Sequence, residues 1–301
     1  MLGIIGDSRA RRLTLRHMDG TVREVEEGLR DTLGTCVYIT SLQLHHLDDY
    51  WKLLLITREM QHNLQDLKVV FGGYWDESNP PQEEQAVVPS VVHLNYLTSL
   101  SLTLSSDAYS PWIQYVRFPK LRHLSLELDD GLYEKLASSL SFSFDQSGCK
   151  VSSLQLHRTV YTTTYWPNDL FFSNLPHLTV LDCGAVSLQK LEDIATLLTA
   201  CTSDDDPTAA VVPRLSSLSF DCCHGTPLRV SPPFDPTPSV SRIAEYRAEQ
   251  SLEGAAASLL KEIRVGNVKL TDLAPEFLER SRRVAQRGCR TLTPYGWESY
   301  E

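Results

Sequence analysis

The sequence predicts an α/β fold: a parallel sheet of short strands, one strand per repeat, with helices and loops returning along its outer side. Three observations carry that prediction. An apolar phrase of the form L-x-x-L-x-L returns nine times, helix-length stretches of good helix formers separate several copies, and acidic or Pro-rich segments fill the widest gaps. Alternating L-x-L makes a strand whose leucines point to one side and whose intervening residues point to the other. A lone strand of this kind buries almost nothing, so the phrases must stack on one another.

The copies centre on Leu13, Leu42, Leu67, Leu100, Leu124, Leu154, Leu181, Leu218 and Ile263, and successive centres lie 24 to 45 residues apart. That spacing is close to the roughly 20 to 29 residues of leucine-rich repeats with insertions added. The expected architecture is therefore an irregular leucine-rich-repeat solenoid of about nine repeats. Its curved parallel sheet would line the concave side, with helices and loops on the convex side. The cleanest copy is "FPKLRHLSLEL" at 118–128.

Between strands, helices are expected at 50–61 ("YWKLLLITREMQ"), 132–140 ("LYEKLASSL") and 188–200 ("LQKLEDIATLLTA"). In the last, Ser187 can cap the N-terminus, and Leu188, Leu191, Ile194 and Leu198 share a face. Loops are expected at 73–89 ("NPPQEEQ"), 202–213 ("SDDDP") and 224–238 ("PPFDPTP"). A final helix is expected at 271–288, capped by Thr271 or Asp272, with Pro275 in its first turn and Gly288 ending it. No boundary separates two cores, so 1–301 is read as one elongated domain.

Apolar runs such as "WKLLLI" are too short to span a bilayer, and the N-terminus lacks the pattern of a signal peptide. The expected location is intracellular, cytoplasmic or nuclear. Seven cysteines, odd in number and without a C-x-x-C pair, are expected as reduced thiols, several of them buried. A net charge of −10 argues against a nonspecific nucleic-acid binder. Two basic stretches, "RARRLTLRH" and "RSRRVAQRGCR", read as solvated faces that could touch an acidic partner.

Two fragments suggest chemistry. Gly6-Asp7-Ser8 resembles the nucleophile block of GDS-type (SGNH) esterases, and Asp221 with His224 matches their D-x-x-H pairing, in which the carboxylate orients a histidine base. The oxyanion G-x-N-D block is missing, and His224 falls far from the C-terminus, so the esterase stands as an alternative. Cys183, Cys222, Cys223 and His224 come from adjacent repeats, but Cys183 occupies a core leucine's slot and adjacent cysteines rarely share one zinc. No metal and no cofactor are expected. His45 and His46 are read as surface polarity, because neighbouring strand residues point to opposite sides.

What remains is the outward column of each phrase, which is largely small and polar. The partner-binding candidates on this concave face are Arg12, Arg16, Gln43, His45, Ser99, Ser101, Thr103, His123, Ser125, Glu127, Ser153, Gln155 and His157. Ser, Thr and Gln also simply solvate a sheet face, but solenoids characteristically bind along such a surface.

The phrases "RARRLTLRHM", "VYITSLQLHHLDDY", "FPKLRHLSLELDD", "NLPHLTVLDC" and "VPRLSSLSFDC", joined by acidic or Pro-rich loops, resemble the leucine-rich region of fungal F-box proteins. The resemblance spans essentially the whole chain. It implies repeats that hold a protein substrate while an F-box docks on an SCF ubiquitin ligase. No L-P-x-E-[IVL]-L-like phrase precedes Leu13, so ligase attachment is expected only if an F-box lies upstream of Met1. A degenerate or truncated fragment is a further alternative. Regular leucine-rich repeats place Asn or Cys at the ninth position, whereas here that position holds Met18, Leu47, Gly72, Ser105, Asp129, Thr159, Val186, Cys223 and Val268. The turns are therefore expected to vary, with no assured side-chain ladder.

Overall fold

The structure, a computed structural model, describes residues 11–16, 38–47, 50–71, 91–104, 112–128, 133–158, 169–186, 188–200, 211–222, 238–240, 242–243, 246–247, 262–266, 290–293 and 296–298. The Ser8 block, His224, the loop at 73–89, most of those at 202–213 and 224–238, Ser187 and the helix at 271–288 lie outside them. So do Cys36, Cys201, Cys223 and Cys289. Two compact units are present, residues 1–150 with 162–165, and residues 151–161 with 166–301. Each is an α/β arrangement on a parallel sheet.

The first unit contains β1 (Arg12–Arg16), β2 (Ser41–Leu47), α1 (Tyr50–Met60), β3 (Asp66–Phe71), β4 (Val92–His93), β5 (Ser99–Leu104), β6 (Val116–Arg117), β7 (His123–Leu128) and α2 (Tyr133–Ser147). Strands β1, β2, β3, β5 and β7 pair in that order, all parallel, while β4 and β6 form a separate parallel pair. The second unit contains β8 (Ser153–Arg158), α3 (Asp169–Ser173), β9 (Val180–Val186), α4 (Leu188–Leu198), β10 (Ser217–Cys222), β11 (Glu262–Gly266), β12 (Arg290–Thr293) and β13 (Gly296–Glu298). Strands β8 to β12 are parallel in chain order, and β13 turns back antiparallel on β12. A strand thus forms at each of the nine phrases. The short pairs β4–β6 and β12–β13 carry no such phrase and were not expected.

Leucines of the phrases fill the register from strand to strand. Leu13, Leu42, Leu67, Leu100 and Leu124 lie in one row, and Leu15, Leu44, Val69, Leu102 and Leu126 in the next. All are buried, each stabilising the fold by about 1.5–3 kcal/mol relative to exposure. Helix α1 packs on β2 and β4 through its buried Leu53, Leu54, Ile56 and Met60. In the second unit, Leu154, Leu156, Leu181, Cys183, Leu218 and Phe220 take the sheet positions, and Leu191, Ile194 and Leu198 of α4 are buried as their spacing predicts.

Helix α2 runs past the expected end at residue 140. Its continuation "SFSFDQS" alternates like a strand, yet Leu136, Leu140 and Phe144 recur every four residues and are buried together. Ser139, Ser143 and Ser147 share that spacing and face the β6 segment. Ser143 Oγ donates to the Val116 carbonyl at 2.8 Å, Gln114 Nε2 to Ser139 Oγ at 3.3 Å, and the Phe118 amide to Ser147 Oγ at 3.1 Å. Gly148, at φ +59°, ends the helix with its amide on the Phe144 carbonyl at 2.9 Å. Residues 211–212, the end of the loop expected at 202–213, are not surface: Val211 and Val212 are buried.

Why Pro so often precedes a phrase is clear in the turns. Phe118-Pro119-Lys120-Leu121, Leu175-Pro176-His177-Leu178 and Val212-Pro213-Arg214-Leu215 each close with an amide of the fourth residue on the carbonyl of the first, at 3.0–3.1 Å. Pro sits second, where its fixed φ suits the turn. The first and fourth side chains of all three turns are buried, so the turn also anchors the incoming chain.

A backbone ladder runs along the strand starts. The carbonyl two residues before each centre accepts two consecutive amides from the next strand: Arg11 from Thr40 and Ser41, Thr40 from Gln65 and Asp66, Gln65 from Thr98 and Ser99, and Thr98 from Arg122 and His123. In the second unit Ser152 accepts from Thr179 and Val180, and Thr179 from Ser216 and Ser217. Hydroxyls reinforce it, with Thr98 Oγ1 on Gln65 O at 3.2 Å and Thr179 Oγ1 on Ser152 O at 2.9 Å. This ladder is built of backbone amides and carbonyls with hydroxyls at some steps, and it is not the side-chain ladder of the ninth position.

Candidate functional site

Side chains between the buried leucines form the open face of the sheet, and register fixes which of them are neighbours. In the first unit they make three rows: Arg12, Ser41, Asp66, Ser99, His123; then Thr14, Gln43, Lys68, Ser101, Ser125; then Arg16, His45, Val70, Thr103, Glu127. None of the fifteen is buried. Adjacent members of a row lie roughly 4.8 Å apart. Arg12, Arg16, Gln43, His45, Ser99, Ser101, Thr103, His123, Ser125 and Glu127 are thus brought onto one surface. Ser153, Gln155 and His157 stand on β8 of the second unit, also open, with Ser153 beside Val180 and Gln155 beside Asp182.

Hydrogen bonding on this face is sparse. Thr103 Oγ1 donates to Glu127 Oε2 at 2.9 Å, tying β5 to β7. Glu127 is thereby oriented along the sheet. The centre of the face, with Gln43, Ser101 and Ser125, offers short donors and acceptors that a partner's backbone could use.

Charge is unevenly placed. Arg12 and Arg16 stand on β1 and Lys68 on β3, with His45 on the intervening β2, beside Arg16 in its own row and one row from Lys68. Burial lowers the His45 pKa from its ordinary 6.5, and the neighbouring Arg16, Lys68 and His46 lower it further. His45 is therefore neutral near pH 7, held so first by burial and then by the surrounding positive charge. Among the described residues no ion pair or hydrogen bond engages the side chains of Arg12, Arg16 or Lys68. Lys68, which acts on His45 from the strand opposite Arg16, is absent from the expected site residues. Its signal was its place in the outward column of the third phrase.

His46 does not simply point to the other side of the strand. Its φ is +58°, and the β2–β3 register passes from His45–Val70 directly to Leu47–Phe71, skipping it. The extra residue is a β-bulge, which expels His46 and returns Leu47 to the buried row. Strand β9 does the same at Gly184, φ +55°, between Asp182–Ser219 and Ala185–Asp221. The Gly184 amide donates to Asp182 Oδ1 at 3.1 Å, holding that carboxylate at the bulge. Both strands have their apolar residue, Leu47 or Val186, one place later than Phe71, Leu104 or Leu128 do.

Cys183 is a fully buried thiol in the leucine slot. Among the described residues no three His, Cys, Asp or Glu side chains gather closely enough to hold a metal ion. Of the esterase alternative, Ser8 and His224 lie outside those residues. Among them, too, no helix is long and apolar enough to cross a membrane.

No protein-family profile matches the chain, and no curated protein does. Among solved structures it is similar to a structural-genomics protein from Bacteroides fragilis, at 12% identity and a TM-score of 0.44, over 96% of this chain and 67% of that one.

Proposed function

We propose that the chain is a non-enzymatic protein-binding module, an irregular leucine-rich-repeat solenoid of about nine repeats whose concave sheet face holds a protein partner. One observation carries the reading: three rows of short polar and charged side chains stand open across five parallel strands, with little internal hydrogen bonding to satisfy them. A surface of this kind supplies unspent donors and acceptors on a rigid frame, which suits a partner's backbone and polar side chains better than an apolar ligand. The likeness of the phrases to the repeats of F-box proteins supports a role in holding a substrate for ubiquitylation. That part of the proposal rests on the resemblance alone.

The test compares proteins retained from cell extract by three immobilised forms of equal melting temperature: the wild type, Ser101→Arg with Ser125→Arg on the open face, and Asp145→Ala with Gln146→Ala on α2. Loss of the same partners from the open-face variant alone is expected. Equal retention by all three contradicts the proposal. A parallel variant, Gln155→Ala with His157→Ala, asks the same question of β8.

A further inference from the structure

The positive corner of the open face has no ion-pair partner among the described residues, and its composition says what should cover it. Arg12 and Arg16 project from the same side of β1, four residues and so roughly 13 Å apart along the strand. Lys68 lies two strands away, roughly 10 Å across the sheet. All three are exposed, and none is ion-paired or hydrogen-bonded among the described residues. Arg16 and Lys68 both act on His45 from opposite flanks. Of the acidic residues of this face, Asp66 stands two residues before Lys68 on β3, in the Arg12 row, which leaves the unopposed positive charge toward Arg16 and His45, and Glu127 is two strands beyond Val70 and bonded to Thr103.

We infer that the open face of β1 to β3, centred on Arg16, His45 and Lys68, takes an acidic segment of the partner protein, with Asp or Glu carboxylates spaced to meet the three cations. The inference rests on the protein-binding reading of the same face and gives that partner a chemistry. Two arginines present planar forks that donate bidentately to carboxylates, and the lysine adds a point charge. Neutral His45 contributes a ring donor and acceptor without adding repulsion. A long polyanion is a poorer fit than a short acidic segment, because the chain as a whole carries −10 and would repel phosphates running beyond the corner.

The experiment uses the full chain and three fluorescein-labelled probes of equal length: an eight-residue Glu peptide, the matching Gln peptide, and a single-stranded DNA octamer. Fluorescence anisotropy at low salt should show binding of the Glu peptide that weakens as salt rises. Arg16→Glu with Lys68→Glu should weaken it at least about tenfold, as expected when like charge replaces complementary charge. Arg214→Glu, an exposed cation elsewhere, should leave it unchanged. Circular dichroism melts show that each variant is folded. Equal binding of the Gln peptide, tighter binding of the DNA, or indifference to the Arg16 and Lys68 reversal would each overturn the inference. If Ser101→Arg with Ser125→Arg releases the cellular partners while Arg16→Glu with Lys68→Glu keeps them, this inference fails and the binding face stands. If neither variant releases them, both fail.

Discussion

A Cβ on Gly184 would sit 2.7 Å from the carbonyl oxygen of Leu156 on the neighbouring strand, closer than side chains ever approach. Glycine is required there twice over, since φ is +55° as well. Gly184→Ala is therefore expected to destabilise the second unit by about 2–3 kcal/mol. Gly148→Ala is the control: it has a similar φ of +59° but nothing within 4 Å, and only the left-handed penalty of about 1 kcal/mol applies. Urea denaturation midpoints read the difference. Equal midpoints for the two variants would mean that β9 does not close on β8 at the bulge.

His45 should report the charge around it. Removing a positive neighbour raises its pKa toward 6.5, so Arg16→Gln and Lys68→Gln should each shift the imidazole titration upward, followed by NMR of the ring protons. Added salt should act in the same direction. The linkage sign follows from the lowered value. As pH falls below about 6.5 the unfolded chain takes up the proton first, so stability declines until the pH passes below the folded-state pKa. His45→Gln should remove that part of the acid slope.

The strands were legible because L-x-L alternation and burial coincide residue by residue, and in the first unit the outward columns read from the sequence are the rows set by strand register. Helix α2 was only half legible, since Ser141-Phe142-Ser143-Phe144 alternates with a period of two while Leu136, Leu140 and Phe144 are buried at a period of four. Helix α3 has five residues, too few to show a period at all. The bulges left a faint trace, the displacement of Leu47 and Val186 by one place, but which residue would adopt positive φ depends on cross-strand register. The ladder at Thr40, Thr98, Thr179 and Ser216 escaped notice because its acceptors are backbone carbonyls, which any residue supplies.

Burial should silence Cys183 and Cys149 to different degrees. Desolvation, with Asp182 adding to it, holds the Cys183 thiol well above the ordinary range, and burial pushes Cys149 up to about 11. The thiolate is the reactive form. At pH 8, iodoacetamide should leave Cys183 unmodified in the folded chain and modify it fully in denaturant, while Cys149, half-buried, reacts slowly and faster as pH approaches its pKa. Peptide mass spectrometry separates the two sites. Native-state labelling of Cys183 at the Cys149 rate would contradict its place in the core.

Arg247 is fully buried, and its Nε, Nη1 and Nη2 atoms have no hydrogen-bond partner among the described residues. Its helical neighbourhood is docked on α4, where Arg242 pairs with Glu192 at 3.2 Å and Ser239 Oγ donates to the same carboxylate. Burial draws the guanidinium pKa down from its ordinary value to about 10, with nearby Tyr246 opposing it. A base with a lowered folded-state pKa costs stability at every pH below about 10 and regains it only as pH climbs toward the ordinary arginine value. The gap corresponds to about 3 kcal/mol at pH 7. Arg247→Met keeps the length and the apolar stem while removing the charge, so it should raise the urea midpoint, by about 1–3 kcal/mol in stability. Arg247→Lys keeps a buried cation and should not. A lower midpoint for Arg247→Met would show that the guanidinium has compensating contacts and stabilises the unit.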